Sequence, residues 1–136
     1  WRPIGARYVR QHHGGGTILL VEDEMDLIET LYVMLTELGY KILVAEDGEK
    51  ALAIYRDAVK QIDLVISDIV MPNMGGKELY VELKKINPKV KFIFTSGYAS
   101  KGVFKKIDID AEMKVLIKPF RLKDVGNAVK ESLSLA

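Results

Sequence analysis

Glu22, Asp23, Asp68, Ser96 and Lys118 are the residues of this sequence best equipped for chemistry, and each stands at the end of a short apolar run. Glu22 closes "TILLVE" and Asp23 follows it, Asp68 closes "DLVISD", Thr95-Ser96 closes "VKFIFTS" ahead of Gly97, and Lys118-Pro119-Phe120 follows "KVLI". Singly they are ordinary, since helix N-caps use Asp and Ser routinely. Together they are not. Three adjacent carboxylates repel one another, and they share a site only if one takes up a proton or a cation intervenes. A hard divalent cation answers that need: Mg²⁺ uses one or two carboxylates and takes further oxygens from water and phosphate. An ammonium and a hydroxyl complete a set suited to a phosphoryl group. A carboxylate can itself attack phosphorus and form an acyl phosphate. Asp68 is the candidate nucleophile, with Mg²⁺ offsetting the charge.

The elements that must bring these residues together follow from hydrophobic periodicity. Apolar runs at 17–22, 41–46, 63–68, 90–96 and 114–117 read as strands. Between them, Leu27, Ile28, Leu31, Leu35 and Leu38 keep helical spacing, and Gly39 supplies a stop. Ala51, Leu52, Tyr55 and Val59 mark a second helix. Leu79, Leu83 and Ile86 mark a third, which must end before Pro88. A fourth, around 99–107, is weakened by Gly102, and Leu122, Val125, Val129 and Leu133 mark the last. Five βα repeats with strands apolar on both faces predict a doubly wound α/β domain with a five-stranded parallel sheet. Ligands of such sheets bind beyond the carboxyl ends of the strands, where the five residues above fall.

The totals bound the rest. With 136 residues, 49% apolar and 29% charged, one ordinary globular domain is expected. The chain has no cysteine, which excludes disulfides, zinc–thiolate sites and thiol chemistry. No apolar run approaches the roughly 18 residues of a membrane span, and no signal peptide opens the chain; a cytoplasmic location without membrane contact is expected. The net charge of +1 gives no bulk argument for nucleic acid. Residues 1–16, "WRPIGARYVRQHHGGG", read as a tail, linker or cloning remnant, leaving 17–136 as the domain. Because the chain begins with Trp1, an excised or processed segment is expected. The His12-His13 pair is read as incidental.

"LLVEDE", "DLVISDIVMPNMGG", "FTSGYAS" and "KPF", in this order and at these intervals, resemble the signatures of receiver domains of two-component response regulators. The likeness covers about residues 17–136 and is closest to receivers at the C-terminus of hybrid histidine kinases. It implies a flavodoxin-like (βα)₅ fold with strand order 2-1-3-4-5. It implies that Asp68 accepts a phosphoryl group from a phosphohistidine on a histidine kinase or histidine phosphotransfer domain. Asp23, Asp68 and the backbone carbonyl of Val70 would hold Mg²⁺, with Glu22 helping through a water. Ser96 would be the switch hydroxyl and Lys118 the phosphoryl partner, with a cis Lys118-Pro119 bond. Pro72 and Gly76 would shape the loop after the acceptor. The domain would catalyse only its own phosphorylation and autodephosphorylation, and present the face of its fourth helix, fifth strand and last helix to partners.

Two departures modify this expectation. Many receivers carry Tyr or Phe three residues before the lysine, where this chain has Val115. Without a ring to rotate, switching would rest on Tyr98 and the segment after it. The positions that commonly govern water access are Val70 and Tyr98, neither of which positions water well, so a more persistent phospho-form than that of fast chemotaxis-type regulators is expected. A haloacid-dehalogenase-type phosphatase would need a second acid two residues after Asp68, where Val70 stands. A degenerate receiver acting only as an interaction module would lack an acid or the lysine, and all are present.

Overall fold

The computed structural model describes residues 15–97 and 114–134. Strands β1 (Thr17–Val21), β2 (Lys41–Ala45), β3 (Leu64–Asp68), β4 (Phe92–Ser96) and β5 (Lys114–Ile117) form one sheet in the order β2-β1-β3-β4-β5. Every neighbouring pair is parallel. Helices α1 (Met25–Glu37), α2 (Gly48–Ala58), α3 (Gly76–Ile86) and α4 (Leu122–Ser134) cover both faces. Residues 1–14 of the expected tail, Tyr98 and the helix around 99–107 lie outside the described residues, while the Gly16 carbonyl, at the tail's end, accepts from the Lys41 amide at 2.8 Å.

Side-chain alternation along each strand splits the core into two layers. Ile18, Leu20, Leu64, Ile66, Ile93 and Leu116 meet α1 through Ile28, Leu31 and Leu35, and α4 through Val125 and Val129. Leu19, Val21, Val65, Phe92 and Phe94 meet α2 through Leu52 and Tyr55, and α3 through Leu79 and Leu83. Burial on both faces holds for β1, β3 and β4. The expectation fails for β2 and β5, which are sheet edges and partly exposed; Val44 and Ile117 reach solvent. Edge strands have a neighbour on one side only, so their outer flank is covered less.

Four strands are one or two residues shorter than the apolar runs suggest. Pairing nonetheless continues at their ends: the Glu22 amide donates to the Ala45 carbonyl at 3.1 Å, and that of Asp63 to Thr17 at 2.8 Å. The Asp63 carboxylate accepts from the Thr17 amide at 2.8 Å, which anchors the start of β1. Helix α1 ends as its glycine predicts. Gly39 has φ 99°, a left-handed conformation, and its amide donates to the Thr36 carbonyl at 3.0 Å.

Candidate functional site

Register carries the polar residues to one place. Val21 pairs with Ser67 and Asp68 with Thr95, so Glu22, Asp68 and Thr95 form a row across the carboxyl ends of β1, β3 and β4. Alternation puts all three, with Lys118, on the α1/α4 side of the sheet, continuing the line of Leu20, Ile66, Ile93 and Leu116. Asp68 is the last residue of β3 and is still only 6% exposed. The run before it is rigid and buried, and Asp68 emerges from it into a polar pit rather than into open solvent.

Lys118 makes that burial tolerable. Its ammonium lies 3.4 Å from Asp68 Oδ2 and 3.5 Å from Glu22 Oε1. The Lys118 amide donates to the Ser96 carbonyl at 2.9 Å, and the Lys118–Pro119 peptide is cis. Oxygens of Glu22, Asp23 and Asp68 all lie within 4.8 Å of one another. Three carboxylates against one ammonium leave a formal charge of −2. Burial pushes the Glu22 carboxyl from 4.5 up to about 7; the Asp68 charge adds to this, while Lys118 opposes it. Burial also raises Asp68, against the pull of Lys118 and the backbone amides of Ile69 and Val70.

The donor set fits a divalent cation. Glu22 Oε2 accepts from the Glu24 amide at 3.2 Å, but buried Oε1 has the Lys118 ion pair and no hydrogen bond among the described residues. Asp23 is exposed and open to solvent, so the cluster has a wet side. In the loop after β3, the Ile69 carbonyl is taken by the Gly76 amide at 2.9 Å and that of Pro72 by Met74 at 2.7 Å. The Val70 carbonyl accepts no backbone hydrogen bond among the described residues. Gly76 permits the tight return: a Cβ there would strike the Asp68 carbonyl. Asn73, with φ 65°, turns the loop apex.

Not every expected residue joins the cluster. Ser96 is fully buried and continues the line of Phe94 toward the α2/α3 side, and its hydroxyl donates to the Gly97 carbonyl at 3.2 Å rather than to Asp68. Val115 faces the same side, half-buried against the Phe94 layer. The Val70 side chain is 51% exposed at the mouth. Pro72 and Pro119 are exposed loop residues that touch no member of the cluster through a hydrogen bond. Thr95, placed at its strand's end from sequence but given no role there, sits beside Asp68 in register, and its buried hydroxyl has no hydrogen-bond partner among the described residues. Sequence reasoning missed the Asp47–Asn73 hydrogen bond, 3.0 Å long across 26 positions. Asp47 before Gly48 carries an N-cap signal, but no local pattern announces its partner.

A parallel 2-1-3-4-5 sheet with acids and a lysine at its carboxyl edge defines a flavodoxin-like domain of the receiver type. The chain belongs to the response regulator receiver domain family, whose pattern matches residues 18–130. It is 42% identical over 120 residues to the sensor kinase CckA of Brucella abortus, covering 88% of this chain and 13% of that protein's length. The receiver protein CpdR of the same organism is 35% identical over 119 residues, covering 88% of this chain and 98% of that protein. Among solved structures, the response regulator TrrA of Thermotoga maritima in complex with Mg²⁺ and beryllofluoride is similar, with a TM-score of 0.75 and 32% identity. That match covers 87% of this chain and 99% of TrrA. The chain is thus a receiver domain of the two-component type, a family of signalling domains rather than of turnover enzymes. No helix among the described residues is long and apolar enough to cross a membrane.

Proposed function

We propose that this domain takes a phosphoryl group from a phosphohistidine on a histidine kinase or histidine phosphotransfer partner onto Asp68. One observation carries the reading: Asp68 lies at the carboxyl end of the central strand, 3.4 Å from Lys118 and within 4.8 Å of oxygens from two further acids. An Asp68 oxygen attacks phosphorus, the phosphorus–nitrogen bond to the imidazole breaks, and an acyl phosphate results. Asp23, Asp68 and the Val70 carbonyl would hold Mg²⁺, with Glu22 supporting it through a water. When bound, the cation supplies positive charge against the phosphoryl oxygens and the acids. Lys118 follows the new negative charge from the carboxylate to the phosphoryl oxygens, a contact that strengthens as charge develops. The buried walls of Ile66 and Leu116 hold the strand ends fixed, so little reorganisation is needed.

Ser96 is the proposed switch. Its hydroxyl, which donates to the Gly97 carbonyl at 3.2 Å in this state, would leave that partner for a phosphoryl oxygen. Val115 beneath it has no ring to swing, so the signal passes through Tyr98, the segment after it, β5 and α4. A slow loss of phosphate is part of the proposal, because the Val70 side chain offers water no hydrogen bond. The likeness to a sensor kinase and a receiver protein supports work in two-component signalling, and the proposal sets that work in the cytoplasm with residues 17–136 as the working domain. Two-dimensional NMR during titration with Mg²⁺ and then beryllofluoride tests the reading. Shifts should begin at Glu22, Asp23, Asp68 and Val70 and reach Ser96 and Lys118 with beryllofluoride. A spectrum unmoved at these residues contradicts it.

A further inference from the structure

We infer that Asp47 and Asn73 form a latch that positions the Val70 carbonyl for the cation, an inference that rests on the Mg²⁺ reading above. Asp47 is 7% exposed and divides its two oxygens. Oδ1 accepts the Lys50 amide at 2.9 Å and caps α2, while Oδ2 accepts the Asn73 side-chain amide at 3.0 Å. Capping needs one oxygen only, and Ser, Thr or Asn would serve. The second oxygen is used to reach across 26 positions to the apex of the loop after β3.

The backbone repeats the same connection. The Gly48 amide donates to the Met74 carbonyl at 3.2 Å. A Cβ at Gly48 would lie 2.5 Å from that carbonyl oxygen, so the two segments meet main chain to main chain. Asn73 sits at φ 65°, the lone non-glycine in the left-handed region among the described residues. Asn adopts that conformation more readily than most side chains. At its base the same loop is closed by the Gly76 amide on the Ile69 carbonyl at 2.9 Å. The loop is therefore held at its base and at its apex, and Val70 lies between the two anchors. Asp47 and Asn73 are positioning residues here, since neither belongs to the cluster of Glu22, Asp23 and Asp68.

The test is Mg²⁺ titration of the full chain, read by NMR or calorimetry, with amide hydrogen exchange in the metal-free protein. Asn73→Gly keeps the left-handed backbone and removes the side-chain amide. Asp47→Ser keeps a capping oxygen and removes the second oxygen that Asn73 reaches. Each should weaken Mg²⁺ binding about three- to ten-fold and speed exchange at Met74 and Gly76. The double variant Asp47→Asn/Asn73→Asp reverses donor and acceptor, retains both the cap and a residue tolerant of positive φ, and should recover affinity to within about two-fold. Thermal melts verify that each variant is folded. Wild-type affinity in both single variants, or a loss that the double variant does not recover, overturns the latch alone. A wild-type chain that binds no Mg²⁺ overturns the site reading and the latch with it.

Discussion

Glu22→Gln should stabilise the metal-free protein at pH 8 and leave it nearly unchanged at pH 5. Glu22 is completely buried, and its carboxyl titrates at about 7 in the fold against 4.5 for a free side chain. The folded state therefore holds this proton more tightly than the unfolded state. Stability falls as pH rises from about 4.5 to about 7 and levels off above that. At 1.36 kcal/mol per pKa unit, the ionised side chain destabilises the fold above pH 7 by on the order of 3 kcal/mol. Gln keeps an acceptor for the Glu24 amide but gives up the 3.5 Å attraction to Lys118. The Lys118 attraction is already contained in the net rise to about 7, and allowing about 1 kcal/mol for a Gln amide group left imperfectly paired beside the Lys118 ammonium leaves a net gain of about 2 kcal/mol. For a domain of this size the melting temperature should rise by roughly 6–10 °C at pH 8. The assay is thermal unfolding in chelator at the two pH values. Added Mg²⁺ should narrow the gap, because the charge it neutralises is missing from the variant. An equal shift at pH 5 and pH 8, or a less stable variant at pH 8, would show that the buried Glu22 charge does not cost the fold stability.

Three other expectations are independent of that one. Gly76→Ala places a methyl against the Asp68 carbonyl and should cost roughly 1–3 kcal/mol in urea unfolding. Lys118→Met leaves Glu22 and Asp68 without their shared ion-pair partner; its melting temperature should fall more steeply than that of wild type between pH 5 and pH 8. Val70→Asn puts a hydrogen-bonding group at the exposed mouth and should shorten the life of phosphorylated Asp68 several-fold, followed by phosphate release in Mg²⁺.

Much of the fold was legible because local signals and global packing agree. Central strands such as "LVISD" are buried on both faces, so unbroken apolar runs betray them. Edge strands β2 and β5 read the same way but are half-open, since sequence does not say which strand lacks a neighbour. Sheet order came from the family likeness; βα repetition alone is compatible with several orders. Glu22, Asp23, Asp68 and Lys118 could be found because each stands where a strand stops. The Ser96 hydroxyl was placed at the same edge, yet side-chain alternation turns it to the other layer, onto Gly97. The Asp47–Asn73 pair was out of reach, because it depends on two loops meeting and not on spacing within either.

Phosphorylation of Asp68 itself is the most direct measurement. Wild-type chain and Asp68→Asn are incubated with acetyl phosphate and Mg²⁺, and intact-mass and peptide mass spectrometry follow the products. Wild type should gain one phosphoryl group, confined to the peptide that holds Asp68, absent without Mg²⁺ and absent from the variant. Equal labelling of the two proteins, or a phosphoryl group mapped to another residue, would contradict it.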